Sequence, residues 1–265
     1  WSGLTHRGQV RPNNEDTFLA LEFNAREVRY LGKTGEASSL RADFVFAVSD
    51  GMGGANSGEF ASRITKDKIT HLLPKGFRLA APGPQSRYDA TLRELFNAIH
   101  HDLLKLGQSY EECRGMGTTL SLAWLTPGWL YFGHIGDSRI YQLPPGGGMI
   151  QLTHDHGHVG WLRRSGKLSE REAREHPLRN MLNQALGAEH MFIDPQFQAL
   201  PCAPGDRYLL CSDGLTQELK DGQLEEIVRT TETAPVAQQL INAALERGGR
   251  DNITALVVET LPPAP

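Results

Sequence analysis

Apolar residues fall along this chain in two patterns. One is the short, nearly unbroken run: within residues 43–49, Phe44, Val45, Phe46, Ala47 and Val48 follow one another and lead straight into Asp50. Such a run suits a buried strand. Similar runs at 118–125, 129–135, 139–143, 207–211 and 253–258 predict further strands, and Phe18 to Leu21 predict one near the start. Three of these are joined by very short links, Thr126-Pro127-Gly128 and Gly136-Asp137-Ser138. Links of that length favour antiparallel neighbours over crossover units, so a meander over 118–143 is expected.

The other pattern repeats every three to four residues. It predicts helices over 57–73, 89–106 and 236–245; in the second, Leu92, Leu95, Phe96, Ile99, Leu103 and Leu106 trace one face. Residues 75–88 have the composition of an internal loop, 144–148 and 201–205 read as short connections, and 262–265 as a terminus. A strand-rich chain with a few long helices points to helices covering packed antiparallel sheets.

Composition narrows the function classes. With 265 residues the chain is long enough for one large core, so a single domain over 1–265 is expected. A net charge of −4 argues against a protein whose main task is neutralising a nucleic-acid backbone. The sequence holds neither a membrane-length apolar stretch nor a signal-peptide pattern after Trp1. Because the chain opens on Trp1 rather than Met, an anchor outside this segment stays open. Cys113, Cys202 and Cys211 are too few and too scattered for a disulfide framework or a thiolate metal site, which fits a reducing, cytoplasmic setting.

The candidate chemistry lies where apolar runs meet acids. Asp50 leads into Gly51-Met52-Gly53-Gly54, Asp213 follows the 207–211 run and precedes Gly214, and Asp251 stands just before the last strand. Carboxylates gathered at strand ends repel one another and raise one another's pKa unless a cation sits among them. Mg2+ or Mn2+, which take oxygen ligands, answer that need, and glycines around Asp50 let a backbone carbonyl approach the ion. The competing account is a set of ordinary Asp-Gly turns and caps.

A second group, Arg11, Asn13, Asn14, Glu15 and Asp16, combines a planar donor fork for a phosphate or carboxylate with acids that can join or orient a metal shell; alone it reads as a polar turn. A third, residues 133–139, sets Asp137 in a tight link between two strands, with a hairpin held by local hydrogen bonds as the alternative. His154, His156, His158 and His176 lack the companions of a zinc site, and Asp155 with His156 suggests a hydrogen-bonded pair at a cleft rim. The Asp50 loop lacks both nucleotide-loop signatures, and Ser212 has no elbow motif or matching base.

Taken together, residues 11–16, 50–54, 117–119, 133–139, 152–156, 176–180, 212–215 and 250–254 resemble, in order, the motifs of bacterial metal-dependent protein serine/threonine phosphatases of the PPM or PP2C-like family. The resemblance implies an α+β fold, a four-layer α-β-β-α sandwich with two central antiparallel sheets and a metal centre at one edge. It implies two Mn2+ or Mg2+ ions: Asp50 bridging both, Gly51 giving a carbonyl to one, Asp213 and Asp251 serving the other, and Glu15 acting through water. Arg11 corresponds to the phosphate-binding arginine and Asp137 to the acid of a third, weaker metal. A flap is implied at about 156–186, with residues 168–173 as a short helix and its Ser cap.

The implied reaction is hydrolysis of phosphoserine or phosphothreonine on proteins by a metal-bridging water or hydroxide, without a phospho-enzyme and in opposition to a serine/threonine kinase. The expected form is a monomer with no nucleic-acid partner. Met52 departs from many eukaryotic relatives, which carry a histidine there; methionine cannot donate a proton to the leaving oxygen. The competing classes are an interaction module that kept the sandwich without turnover and a nucleotide-using ATPase.

Overall fold

The computed structural model describes all residues except 25, 41, 54–56, 80–85, 190–191, 232–234 and 263–265, and leaves the side chains of 75–79 and 86–87 undescribed. In chain order the strands and helices are β1 (Ser2–His6), β2 (Asp16–Phe23), β3 (Val28–Tyr30), β4 (Asp43–Met52), α1 (Ser57–Leu79) and α2 (Ser86–Ser109), then β5 (Gly117–Thr118), β6 (Leu120–Thr126), β7 (Trp129–Ile135), β8 (Arg139–Leu143) and β9 (Ile150–Gln151). They continue with α3 (His158–Arg164), α4 (Glu170–Glu175), β10 (Gln196–Pro201), β11 (Arg207–Cys211), α5 (Asp213–Glu218), α6 (Asp221–Thr230), α7 (Val236–Glu246) and β12 (Ile253–Glu259).

Among the described residues the strands form two sheets, ordered β1-β12-β11-β8-β9 and β10-β7-β6-β4-β2-β3, with β5 paired to the end of β4. Every pairing is antiparallel. Three apolar clusters define the layers. Val45 and Ala47 of β4 pack with Ile69 and Leu73 of α1 and Leu92, Phe96 and Ile99 of α2. Phe44, Phe46 and Val48 point the other way and meet Tyr208, Leu210 and Leu256 of the opposite sheet. The outer face of that sheet, including Leu209 and Val257, is covered by Leu215, Leu224, Leu240 and Ile241 from α5, α6 and α7.

This is the α-β-β-α sandwich, and it explains why the strands read as continuous apolar runs. A strand covered on both faces has no solvent side on which to alternate polar residues.

The expected meander over 118–143 is only half present. β6 and β7 pair as a hairpin, but β8 belongs to the other sheet, so Gly136-Asp137-Ser138 carries the chain across the sandwich edge. A short link fixes how far apart two strand ends lie, not whether they pair. The crossing uses Gly136 at φ +108°, where a side chain would also meet Thr119 at 2.5 Å.

The helices also exceed their expected bounds. α1 runs through Pro74 to Leu79, and α2 begins at Ser86, inside the stretch expected to be loop; residues 80–85 lie outside the described set. A proline forfeits one intrahelical bond without necessarily ending the helix.

Candidate active site

The crossing at 136–138 places Asp137 at the sandwich edge where β4 and β11 also end, and the other acids gather there in pairs. Strand register sets Asp16 opposite Asp50. Asp213, the first residue of α5, lies close enough to Asp50 to perturb its carboxyl. Asp251, just before β12, accepts from Arg11 Nη2 at 2.7 Å.

The backbone around Asp50 is tightly specified. Its amide donates to Thr119 Oγ1 at 3.0 Å, and its carbonyl accepts from Thr118 Oγ1 at 2.8 Å and the Thr119 amide at 2.9 Å. Gly51 donates to the Glu15 carbonyl at 3.2 Å, and a Cβ on Gly51 would come within 2.0 Å of the Gly58 carbonyl oxygen. Only glycine allows that approach. Gly54, the last residue of the Asp50 motif, lies outside the described residues.

Asn252 ties the N-terminal cluster to the rest. Its Oδ1 accepts from the Glu15 amide at 2.7 Å, and its Nδ2 donates to the carbonyls of Arg7 and Asn13, both at 2.8 Å. The segment carrying Arg11 and Glu15 is thereby clasped to the start of β12. Beneath it, the buried Asp16 accepts from Ser212 at 2.6 Å and Thr254 at 2.7 Å through one oxygen, while its other oxygen has no hydrogen-bond partner.

The electrostatics follow from crowding in a partly dry edge. Burial, reinforced by Asp16, Asp213, Asp137 and Asp251, pushes the Asp50 carboxyl well above its ordinary range. Asp213 is pushed up to about 6 by burial and by Asp251, against the pull of the Gln217 amide. Asp137 is also raised well above its usual value by burial and by Asp213 and Asp155, with Arg139 opposing. Burial raises Asp16 to about 7, and raises Glu15 against the attraction of Arg11. Oxygen-rich groups that resist ionising next to one another fit a divalent cation, which replaces shared protons with a positive charge. Among the described residues, no three His, Cys, Asp or Glu side chains form a ready ligand cluster.

Asp137, Asp213 and Asp251 face a cleft of about 640 Å³. Asp137, Asp213, Asp251 and Arg11 line one side, and residues of α3 and α4, including Arg163 and Arg174, line the other. Asp155 does not pair with His156 as expected. It takes a two-point ion pair from Arg139, at 2.9 and 2.6 Å, while His156 Nδ1 accepts the Gly136 amide at 3.1 Å and its ring stacks on His134. A guanidinium fork matches a carboxylate better than an imidazole does.

Asn252 and Gln217 are the supporting residues that sequence reasoning missed. Gln217 Nε2 holds Asp213 Oδ2 at 2.5 Å. Its spacing of four from Asp213, one helical turn, is the signal that could have found it. The α4 cap is as expected: Ser169 and Glu172 form a reciprocal capping box.

Comparison with known proteins identifies the family. A family profile described as protein phosphatase 2C matches residues 34–256. Serine/threonine protein phosphatase PstP of Mycobacterium tuberculosis is 34% identical over 247 residues, covering 92% of this chain and 46% of that protein, so the chain spans less than half of this relative. Serine/threonine phosphatase stp of Listeria innocua is 31% identical over 256 residues, covering 96% of this chain and 93% of the relative. A crystal structure of the PstP catalytic domain in complex with two manganese ions superposes with a TM-score of 0.75 at 32% identity, covering 98% of this chain and 97% of that one. The chain belongs to the protein phosphatase 2C family.

Proposed function

We propose that the protein containing this chain removes phosphate from phosphoserine and phosphothreonine in other proteins, opposing a serine/threonine kinase. The observation that carries this is the gathering of Asp137, Asp213, Asp251 and Arg11 along one cleft, with Asp213 close enough to Asp50 to perturb its carboxyl. Asp50, Gly51, Asp213 and Asp251 would hold two Mn2+ or Mg2+ ions, with Glu15 contributing through water and Asp137 serving a third. Such ions lower the pKa of water and offset the charge that develops in an in-line displacement.

The remaining roles belong to the chain's own side chains. Arg11 spends one nitrogen on Asp251 and is half-exposed, so its other donors are free to orient phosphoryl oxygens. Asn252 keeps Arg11 and Glu15 over the site, and Gln217 fixes the orientation of Asp213. Met52 supplies no proton to the leaving oxygen. None of the three cysteines lines the cleft, so no thiol nucleophile is at hand, and by similarity to the family the reaction proceeds without a phospho-enzyme.

The reading includes a monomer, with residues 156–186 acting as a flap over the site in a single domain. Three free cysteines suit a reducing, cytoplasmic setting. Among the described residues no helix is long and apolar enough to cross a membrane.

Titration of the metal-stripped chain with Mn2+, alongside turnover of a phosphothreonine peptide, tests this reading. Two bound ions and metal-restored phosphate release are expected, with Asp50→Asn losing both; unchanged Mn2+ binding in that variant would overturn the ligand assignment.

A further inference from the structure

Two arginines join the flap segment to the body, on either side of the α5–α6 junction. Arg163 of α3 pairs with Asp221, the first residue of α6, at 2.6 Å. Arg174 of α4 makes a different contact. Its Nη1 donates to the carbonyls of Thr216 and Gln217, the latter at 3.2 Å, and its Nη2 donates to the Leu219 carbonyl at 2.7 Å. Glu170, one turn earlier in α4, steadies the same guanidinium at 2.8 Å.

The carbonyls that Arg174 takes belong to the last turn of α5 and the residue after it, groups a helix leaves without intrahelical partners. α5 has only six residues, so its two ends are not independent. Its first residue is Asp213, whose carboxylate is held by Gln217 one turn later. Gln217 therefore receives Arg174 at its carbonyl and grips Asp213 with its side chain. The contacts of Arg163 lead instead through Asp221 to the Tyr141 hydroxyl.

We propose that Arg174 is a positioning residue for metal binding: by fixing the C-terminal turn of α5 it sets Gln217, and through Gln217 the Asp213 carboxylate. Flap placement and cation affinity are then coupled. Coupling of this kind is reciprocal, so the bound cation also favours the docked position of α4. The inference rests on the reading of Asp213 as a metal ligand. Arg171, on the same short helix, is exposed and pairs only with Glu175, which makes it the matching control.

The test is calorimetric titration of the metal-stripped 265-residue chain with Mn2+, for wild type, Arg174→Ala, Arg174→Lys, Arg163→Ala, Arg171→Ala and Asp213→Asn. Circular dichroism establishes that each is folded. Loss of a residue that orients a ligand lowers metal affinity by about tenfold or more. Arg174→Ala is expected to show that loss and Arg174→Lys to recover part of it. Arg171→Ala is expected to stay within about twofold of wild type, well below that effect, and Arg163→Ala to lose less affinity than Arg174→Ala.

Wild-type affinity in folded Arg174→Ala, with Asp213→Asn impaired, overturns the coupling alone. Equal losses in Arg163→Ala and Arg174→Ala also overturn it, because they indicate general loosening of the flap. Unimpaired binding by Asp213→Asn overturns the ligand reading on which the coupling rests. Should Arg174→Ala not fold, the Lys variant decides: an affinity equal to wild type with the flap helix still protected from hydrogen exchange counts against the proposal, and a partial loss supports it.

Discussion

Asp16 and Asp50 stand directly opposite one another on the antiparallel strands β2 and β4. Opposed residues of an antiparallel pair share a face of the sheet. Asp16 is buried and satisfied on one oxygen only, and the Asp50 carboxyl is raised by Asp16 and Asp213 as well as by burial. Both carboxyl groups are raised above their ordinary range, which bears on how the metal-free protein responds to pH.

The Asp16 carboxyl is pushed up to about 7, chiefly by burial, from an ordinary value of 3.8. A raised carboxyl pKa gives stability that is complete below the unfolded value and lost as pH rises through the folded one. Asp16→Asn, neutral throughout, does not lose it. The urea midpoint of metal-free wild type is therefore expected to fall relative to Asp16→Asn between pH 5 and pH 8. Parallel curves for the two proteins would show that Asp16 does not carry the proton.

Arg11→Ala separates binding chemistry from folding. Its ion pair with Asp251 is half-exposed on the arginine side, so the variant is expected to cost less than about 1 kcal/mol of stability. Losing a preorganised donor to the phosphoryl oxygens is expected to lower kcat/KM for a phosphothreonine peptide by about 10²-fold. Arg11→Lys should recover little, because an ammonium lacks the planar fork. Steady-state kinetics with a parallel urea melt checks both halves.

At Gly51 the backbone itself is the constraint. Gly51→Ala would drive a methyl into the Gly58 carbonyl, 2.0 Å away, and neither backbone segment can move without disturbing the Asp50 motif. A destabilisation of about 1–3 kcal/mol is expected, as for overpacking in a closed core. Thermal and urea unfolding read it directly, and a wild-type midpoint would mean that α1 can shift away.

Asn252→Ala removes all three bonds that clasp the segment bearing Arg11 and Glu15. Loss of these part-buried hydrogen bonds costs about 0.5–1.5 kcal/mol each at most, and the larger effect is expected on turnover because Arg11 and Glu15 lose their placement. Asn252→Asp retains the acceptor for the Glu15 amide but not the donor. Its second carboxylate oxygen would face the Arg7 and Asn13 carbonyls and add negative charge beside Asp251, so it should be no better than the alanine variant in stability or kcat.

The fold was legible wherever both faces of a strand are buried. The runs behind β4, β7, β8, β11 and β12 predict those strands closely, because covered faces leave no polar positions to blur the pattern. The strands β1, β3, β9 and β10 escaped notice because they are short or mix exposed and half-buried residues.

The acids were legible because carboxylates at strand ends are costly and conspicuous. Sheet membership was not, since a three-residue link says nothing about whether β8 pairs with β7. Nor were Asn252, Gln217 and Arg174. Their work is done through contacts to backbone atoms or across long sequence separations, and such contacts leave no local pattern of residue types.

The most direct test of the central claim is phosphate release from a phosphothreonine peptide by the metal-stripped chain, before and after Mn2+ is added, with folded Asp213→Asn alongside. Release that appears only with metal, and is lost in the variant, is the predicted result. No release from folded, metal-loaded wild type across several phosphoserine and phosphothreonine peptides would contradict the assignment of phosphatase activity to this site.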